Sequence, residues 1–83
     1  MPRKDMLSIK VGRDRITDVL KPHLGADYAL ERANNIAQAL VLGAGSPTDV
    51  ALEMLRYTTV NNKVKVAVEI GRAWMSTTSI EAS

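Results

Sequence analysis

Residues 63–70 read Lys-Val-Lys-Val-Ala-Val-Glu-Ile, KVKVAVEI, and how this stretch is read decides the fold. Val64, Val66, Val68 and Ile70 fall at every second place, with Lys63, Lys65, Ala67 and Glu69 between them. Period two puts the two sets on opposite faces of an extended chain, and β-branched residues suit a pleated, half-buried surface. Asn61-Asn62 before the stretch and Gly71 after it supply turn residues at both ends, so the pattern predicts a β-strand over 63–70. Beyond it, MSTTSIEAS (75–83) is expected to return as a short antiparallel strand.

Upstream lies SPTD, residues 46–49. Ser46 can accept a hydrogen bond from a first-turn amide, Pro47 suits the first helical position, and Asp49 suits the positive helix end. A helix follows, with Val50, Ala51, Met54, Leu55 and Thr58 facing inward. Before it, LVLGAG (40–45) resembles the approach to a phosphate-cradling loop. It lacks the Lys-Ser or Lys-Thr of a Walker loop and the third glycine of a dinucleotide fingerprint, so Gly43 and Gly45 read as turn residues. Residues 40–42 fit either a last helical turn or a short buried strand, which periodicity alone does not separate.

Further upstream, Asp27 is the predicted N-cap of a helix with Ala29, Ala33, Ile36, Ala37 and Leu40 on one stripe. RDRITDVLKPHL (13–24) places Ile16, Val19, Leu20 and Leu24 on one helical face; Pro22 should kink or end it, and Gly25 should stop it. MLSIKV (6–11) alternates, with Leu7, Ile9 and Val11 opposite Ser8 and Lys10, and predicts a strand closed by Gly12. The expected class is therefore α+β, a single small domain of order β-α-(α)-β-α-β(-β) over residues 1–83. Residues 1–5 and 76–83 are expected to form flexible tails. The alternative is a mostly helical chain with an N-terminal ribbon strand.

Composition bounds the function. Eighty-three residues leave room for one core, and a chain this short gains from pairing with a copy of itself. With 46% hydrophobic residues and no Phe, the core should be built from small side chains, Trp74, Tyr28 and Tyr57 being the large rings. There is no Cys, which fits a reducing compartment, no apolar run of membrane-spanning length, and no h-region after the basic start; a cytoplasmic location is expected. His23 is the only imidazole, the glutamates are scattered, and no spacing suits metal ligation, so neither an enzyme nor a cofactor or metal site is expected. Net charge is +2, but Arg3, Lys4, Lys10, Arg13 and Arg15 crowd the start against Asp5 and Asp14. Such a cluster can be the footprint of a phosphate backbone.

Three stretches carry a resemblance: SIKVGRDR (8–15), ALVLGAGSPTDVALEML (39–55) and VKVAVEIG (64–71). In their order, a strand closing on glycine before basic residues, a central strand before a glycine turn and helix, and a final strand, the chain resembles the Alba superfamily. It departs from it in the long helical region between Gly12 and Leu40 and in the short arm RAWMSTTSIEAS (72–83). The resemblance implies a homodimer that binds DNA or RNA with little sequence preference. Arg13 would be its phosphate-contacting residue, Lys10 and Arg15 would add contacts, and Arg72 would be the basic residue left in the shortened arm. Asp14 stands where such proteins often carry a further basic residue. Two other functions remain open. A ribbon-helix-helix repressor would set Ser8 and Lys10 of a paired strand into the DNA major groove. A protein-binding adaptor or inhibitor encoded by a phage or plasmid would use exposed edge strands.

Overall fold

The computed structural model describes residues 6–82. Four helices follow in order, α1 (Met6–Leu24), α2 (Ala26–Val41), α3 (Pro47–Leu55) and α4 (Lys63–Ala82), and there is no strand among the described residues. The α+β expectation and the Alba-like sheet are thereby overturned. The mostly helical alternative holds, without its N-terminal ribbon, because residues 6–11 are the first turns of α1.

The stretch KVKVAVEI is helical because its alternation conceals a second period. Every second residue includes every fourth, so the β-branched set splits into Val66 with Ile70 and Val64 with Val68. The first pair is buried; Val64 is exposed and Val68 half-buried. The buried stripe of α4 is Val66, Ala67, Ile70, Gly71 and Trp74, a helical spacing that runs four residues beyond the expected strand. Helix propensity disfavours Val and Ile by well under ~1 kcal/mol each. Burying such a side chain is worth roughly 1.5–3 kcal/mol, so packing wins. Residues 75–82 continue the same helix and do not turn back as a strand.

In α1, Gly12 is likewise no strand end: it lies buried on a seam with Ile16 and Leu20, four residues apart. Pro22 lies in the last turn, where its missing amide costs the Asp18 carbonyl its donor and α1 ends two residues later. Gly25, at φ 83°, both closes α1 by donating to the Lys21 carbonyl and opens α2, its own carbonyl accepting from the Ala29 amide. Gly25 thus takes the N-cap place expected for Asp27, which sits instead in the first turn. The α2 stripe is buried as expected at Ala29, Ala33, Ile36 and Ala37.

Residues 40–42 are the end of α2, not a strand. Gly43 adopts φ 80°, its amide donates to Leu40 O and the Ala44 amide donates to Ala39 O, the double closure of a Schellman motif. The start of α3 is built as its residues require. Ser46 Oγ accepts from the Asp49 amide at 3.3 Å with Pro47 in the first turn.

α1 packs against α2 and α4, and α3 against α4 and α2, so the four helices close a ring around one core. Ile16, Leu20, Ile36, Leu55 and Ile70 are its largest fully buried side chains. Gly71 is where α4 meets the start of α3: a Cβ there would stand 2.5 Å from Thr48 Oγ1 and 3.4 Å from the Thr48 amide nitrogen. Trp74 joins the core at 6% exposure, whereas Tyr28 and Tyr57, expected inside, are 60% and 85% exposed.

Candidate functional site

The residues predicted to meet phosphates do not form a single patch. Arg3 and Lys4 lie outside the described residues. Lys10 is exposed on α1. Arg13 and Arg15 lie two positions apart on the same helix, hence roughly 160° around its axis from one another. They flank the buried seam on opposite sides. Arg13 pairs with Asp14 (Nη2 to Oδ1, 3.3 Å), and its Nε is buried without an acceptor. Arg15 crosses to α4, where its Nη1 donates to Ser76 Oγ at 2.5 Å, while Ser76 in turn donates to the Ala73 carbonyl. Arg72 stands one helical turn before Ser76, so the fold does gather Arg15 and Arg72. Arg72 also lines a shallow groove of about 290 Å³ beside Thr48, Gly71 and Met75.

A better-formed concavity lies where sequence reasoning did not look. The single-residue turn at Gly25 brings the end of α1 against the first turns of α2, and the link from α3 to α4 folds across both. Together they enclose a cleft of about 280 Å³. α1 contributes His23 and Leu24, α2 contributes Tyr28 and, one turn on, Arg32, and the link contributes Tyr57, Thr58 and Thr59. Thr58 shapes the link: its Oγ1 donates to the Leu55 carbonyl at 2.8 Å and accepts from the Val60 amide at 3.4 Å. Lys63 Nζ ties down the Val60 carbonyl at 3.0 Å.

The chemistry of this lining is one-sided. It presents a guanidinium, an imidazole, two phenols and two threonine side chains, and no carboxylate. Arg32 Nε is buried and has no acceptor. Across the rim, the Arg56 guanidinium lies 5.7 Å from the centre of the Tyr57 ring, within cation–π range. Such a cleft offers donors, positive charge and aromatic faces, the complement of an anion that carries a planar ring.

Little in the sequence marks it. His23 reads there as a capping or surface residue, and both tyrosines read as core. Tyr28 did carry a signal, being one position off the Ala29–Ala33–Ile36–Ala37 stripe, and Tyr57 falls outside the inward set Val50, Ala51, Met54, Leu55 and Thr58. Among the described residues no group of His, Cys, Asp and Glu is placed to hold a metal ion, and no helix is long and apolar enough to cross a membrane. No protein-family model matches the chain, and comparison with curated proteins and with solved structures gives no match.

Proposed function

We propose that the protein is a small, non-enzymatic nucleic-acid-binding module of low sequence preference, cytoplasmic and paired with a second copy of itself. The observation that carries this reading is the separation of charge between the two halves of the helical ring. α1 bears Lys10, Arg13, Arg15 and Lys21 against Asp14 and Asp18, and α4 bears Lys63, Lys65 and Arg72 against Glu69 and Glu81. These two helices pack together and are net positive. α2 and α3 bear Asp27, Glu31, Asp49 and Glu53, balanced only by Arg32 and by Arg56 at the C-cap of α3, and are net negative. A net-positive α1–α4 half set against a net-negative α2–α3 half favours a polyanion at the former. Contacts from Lys and Arg to phosphates position a strand without reading its sequence.

The ribbon-helix-helix reading falls with the ribbon, since Ser8 and Lys10 belong to a helix. A protein-binding adaptor is the second reading, supported by the exposure of Tyr28 and Tyr57, a residue type enriched in protein interfaces. Fluorescence polarisation with labelled oligonucleotides separates the two. The proposal expects retention at roughly 50 mM salt and a linear fall of log affinity with log salt. Replacing Lys10 and Arg72 together by Gln should flatten that slope by about 0.7 to 0.9 per lost phosphate contact. No retention at the low-salt end rejects the proposal and leaves the adaptor.

A further inference from the structure

We propose that the cleft between His23, Tyr28, Arg32 and Tyr57 is a binding site for one nucleotide of a single strand. Its base would stack on the tyrosine rings, and its phosphate would be held by Arg32 and His23. The inference rests on the nucleic-acid reading and adds to it a site, a strand state and four residues, none of them among those expected to touch phosphate from the sequence.

Three observations converge on this occupant. The cleft has the dimensions of a mononucleotide, about 280 Å³. Its lining has donors and one cation, Arg32, but no carboxylate, so an anion enters without repulsion from the wall. Its two rings remain 60% and 85% exposed although the domain has only one other aromatic residue of the Phe, Trp and Tyr type, Trp74, and buries that one. Exposed rings beside cations are how proteins hold unpaired bases: the ring face takes any base, and the cation takes the backbone. In a duplex the bases are already stacked on one another and their faces are closed to a side chain, so the site selects a single strand.

Arg32 supplies the charge: it lines the cleft one helical turn after Tyr28, and a guanidinium there can donate to a phosphate oxygen. The mixed charges around the cleft keep the site from being a general polyanion patch. Asp27 and Glu31 lie on the same helix as Tyr28 and Arg32, outside the lining, and would repel a strand that strayed from the cleft.

The test uses the full chain and its sparse aromatic spectrum. The protein has one His, two Tyr, one Trp and no Phe, so ring proton resonances come from His23, Tyr28 and Tyr57 in the cleft and from the buried Trp74 as an internal reference. Titration with a nucleoside monophosphate, and separately with an unstructured oligothymidylate, should shift the first three and leave Trp74 in place. In polarisation measurements Tyr57→Ala should weaken oligothymidylate binding about tenfold, and Tyr57→Phe should retain it, because the ring face and not the hydroxyl stacks. Tyr57 is exposed, so its replacement leaves the core untouched. A strand that binds the wild type but is indifferent to Tyr57→Ala and Tyr28→Ala overturns the cleft and leaves the basic α1–α4 flank standing. Shifts with the monophosphate, but no retention of any oligonucleotide, overturn the single-strand site together with the broader reading and leave a cleft for a free mononucleotide. Shifts of the same rings with a polyglutamate peptide, and none with either nucleotide probe, overturn the proposal in favour of an acidic protein partner.

Discussion

Replacing Gly71 by Ala sets two effects of similar size against each other, and the structure says which prevails. Gly71 lies inside α4, where Ala would be favoured by about 1 kcal/mol if nothing else changed. The new Cβ, however, would stand 2.5 Å from Thr48 Oγ1, with the Thr48 amide nitrogen at 3.4 Å and its Cα at 3.6 Å. Real carbon atoms do not approach an oxygen so closely, so α3 must shift or Thr48 must rotate. Overpacking of this kind costs roughly 1–3 kcal/mol. The net expectation is destabilisation by about 1 kcal/mol, a fall in Tm of about 4–8 °C for a domain of this size. Thermal unfolding followed by circular dichroism at several urea concentrations reads it. Thr48→Ala removes the oxygen and leaves only ordinary backbone contacts. In that background Gly71→Ala should be neutral or stabilising, giving a coupling of about 1–2 kcal/mol in the double-mutant cycle. If Gly71→Ala stabilises the otherwise unchanged protein and the cycle shows no coupling, α4 does not approach the start of α3 as described.

Two further outcomes follow from the core and the cap. Ile36→Ala, at a fully buried position of α2, should cost about 2–5 kcal/mol in urea unfolding, a large share of what a domain this small possesses; a loss under 1 kcal/mol would place Ile36 outside the core. Ser46→Ala should lower stability by about 1 kcal/mol through loss of the bond from the Asp49 amide, and Ser46→Asp, which keeps an acceptor there, should recover most of it.

How much of this was legible in the chain depended on whether the informative residues were local. The cap at Ser46, Pro47 and Asp49 is a matter of four neighbouring residues, and the structure places it as the sequence predicts. The alanine-rich stripe of α2 spans two turns and was equally readable. The ends of the chain were not, for one shared reason. MLSIKV and KVKVAVEI alternate over six and eight residues, too short a window to separate period two from the every-fourth spacing it contains. The residues that decide, Ile16 after Gly12 and Trp74 after Gly71, lie on the far side of glycines that look like terminators. Both glycines are buried within helices, and at Gly71 the missing side chain admits a neighbouring helix rather than a turn. The loss of both strands then removed the Alba-like arrangement and the ribbon together.

The candidate cleft was hidden in a different way. Its side chains come from residues 23–32 and 57–59, and nothing short of the tertiary fold brings those segments together. The basic cluster suffered the opposite fate. Arg13 and Arg15 are neighbours in sequence, but on a helix two positions apart means opposite flanks, so a run of cations that looked like one patch is divided between two.

The central claim is that residues 63–82 form one helix whose buried stripe passes through Gly71 to Trp74. Backbone carbon chemical shifts along this segment test it most directly. An unbroken run of helical Cα shifts from Val64 through Trp74 is the result required. Strand-like shifts over 64–70 with a break at Gly71 would contradict it, and would return the chain to the mixed fold that KVKVAVEI first implied.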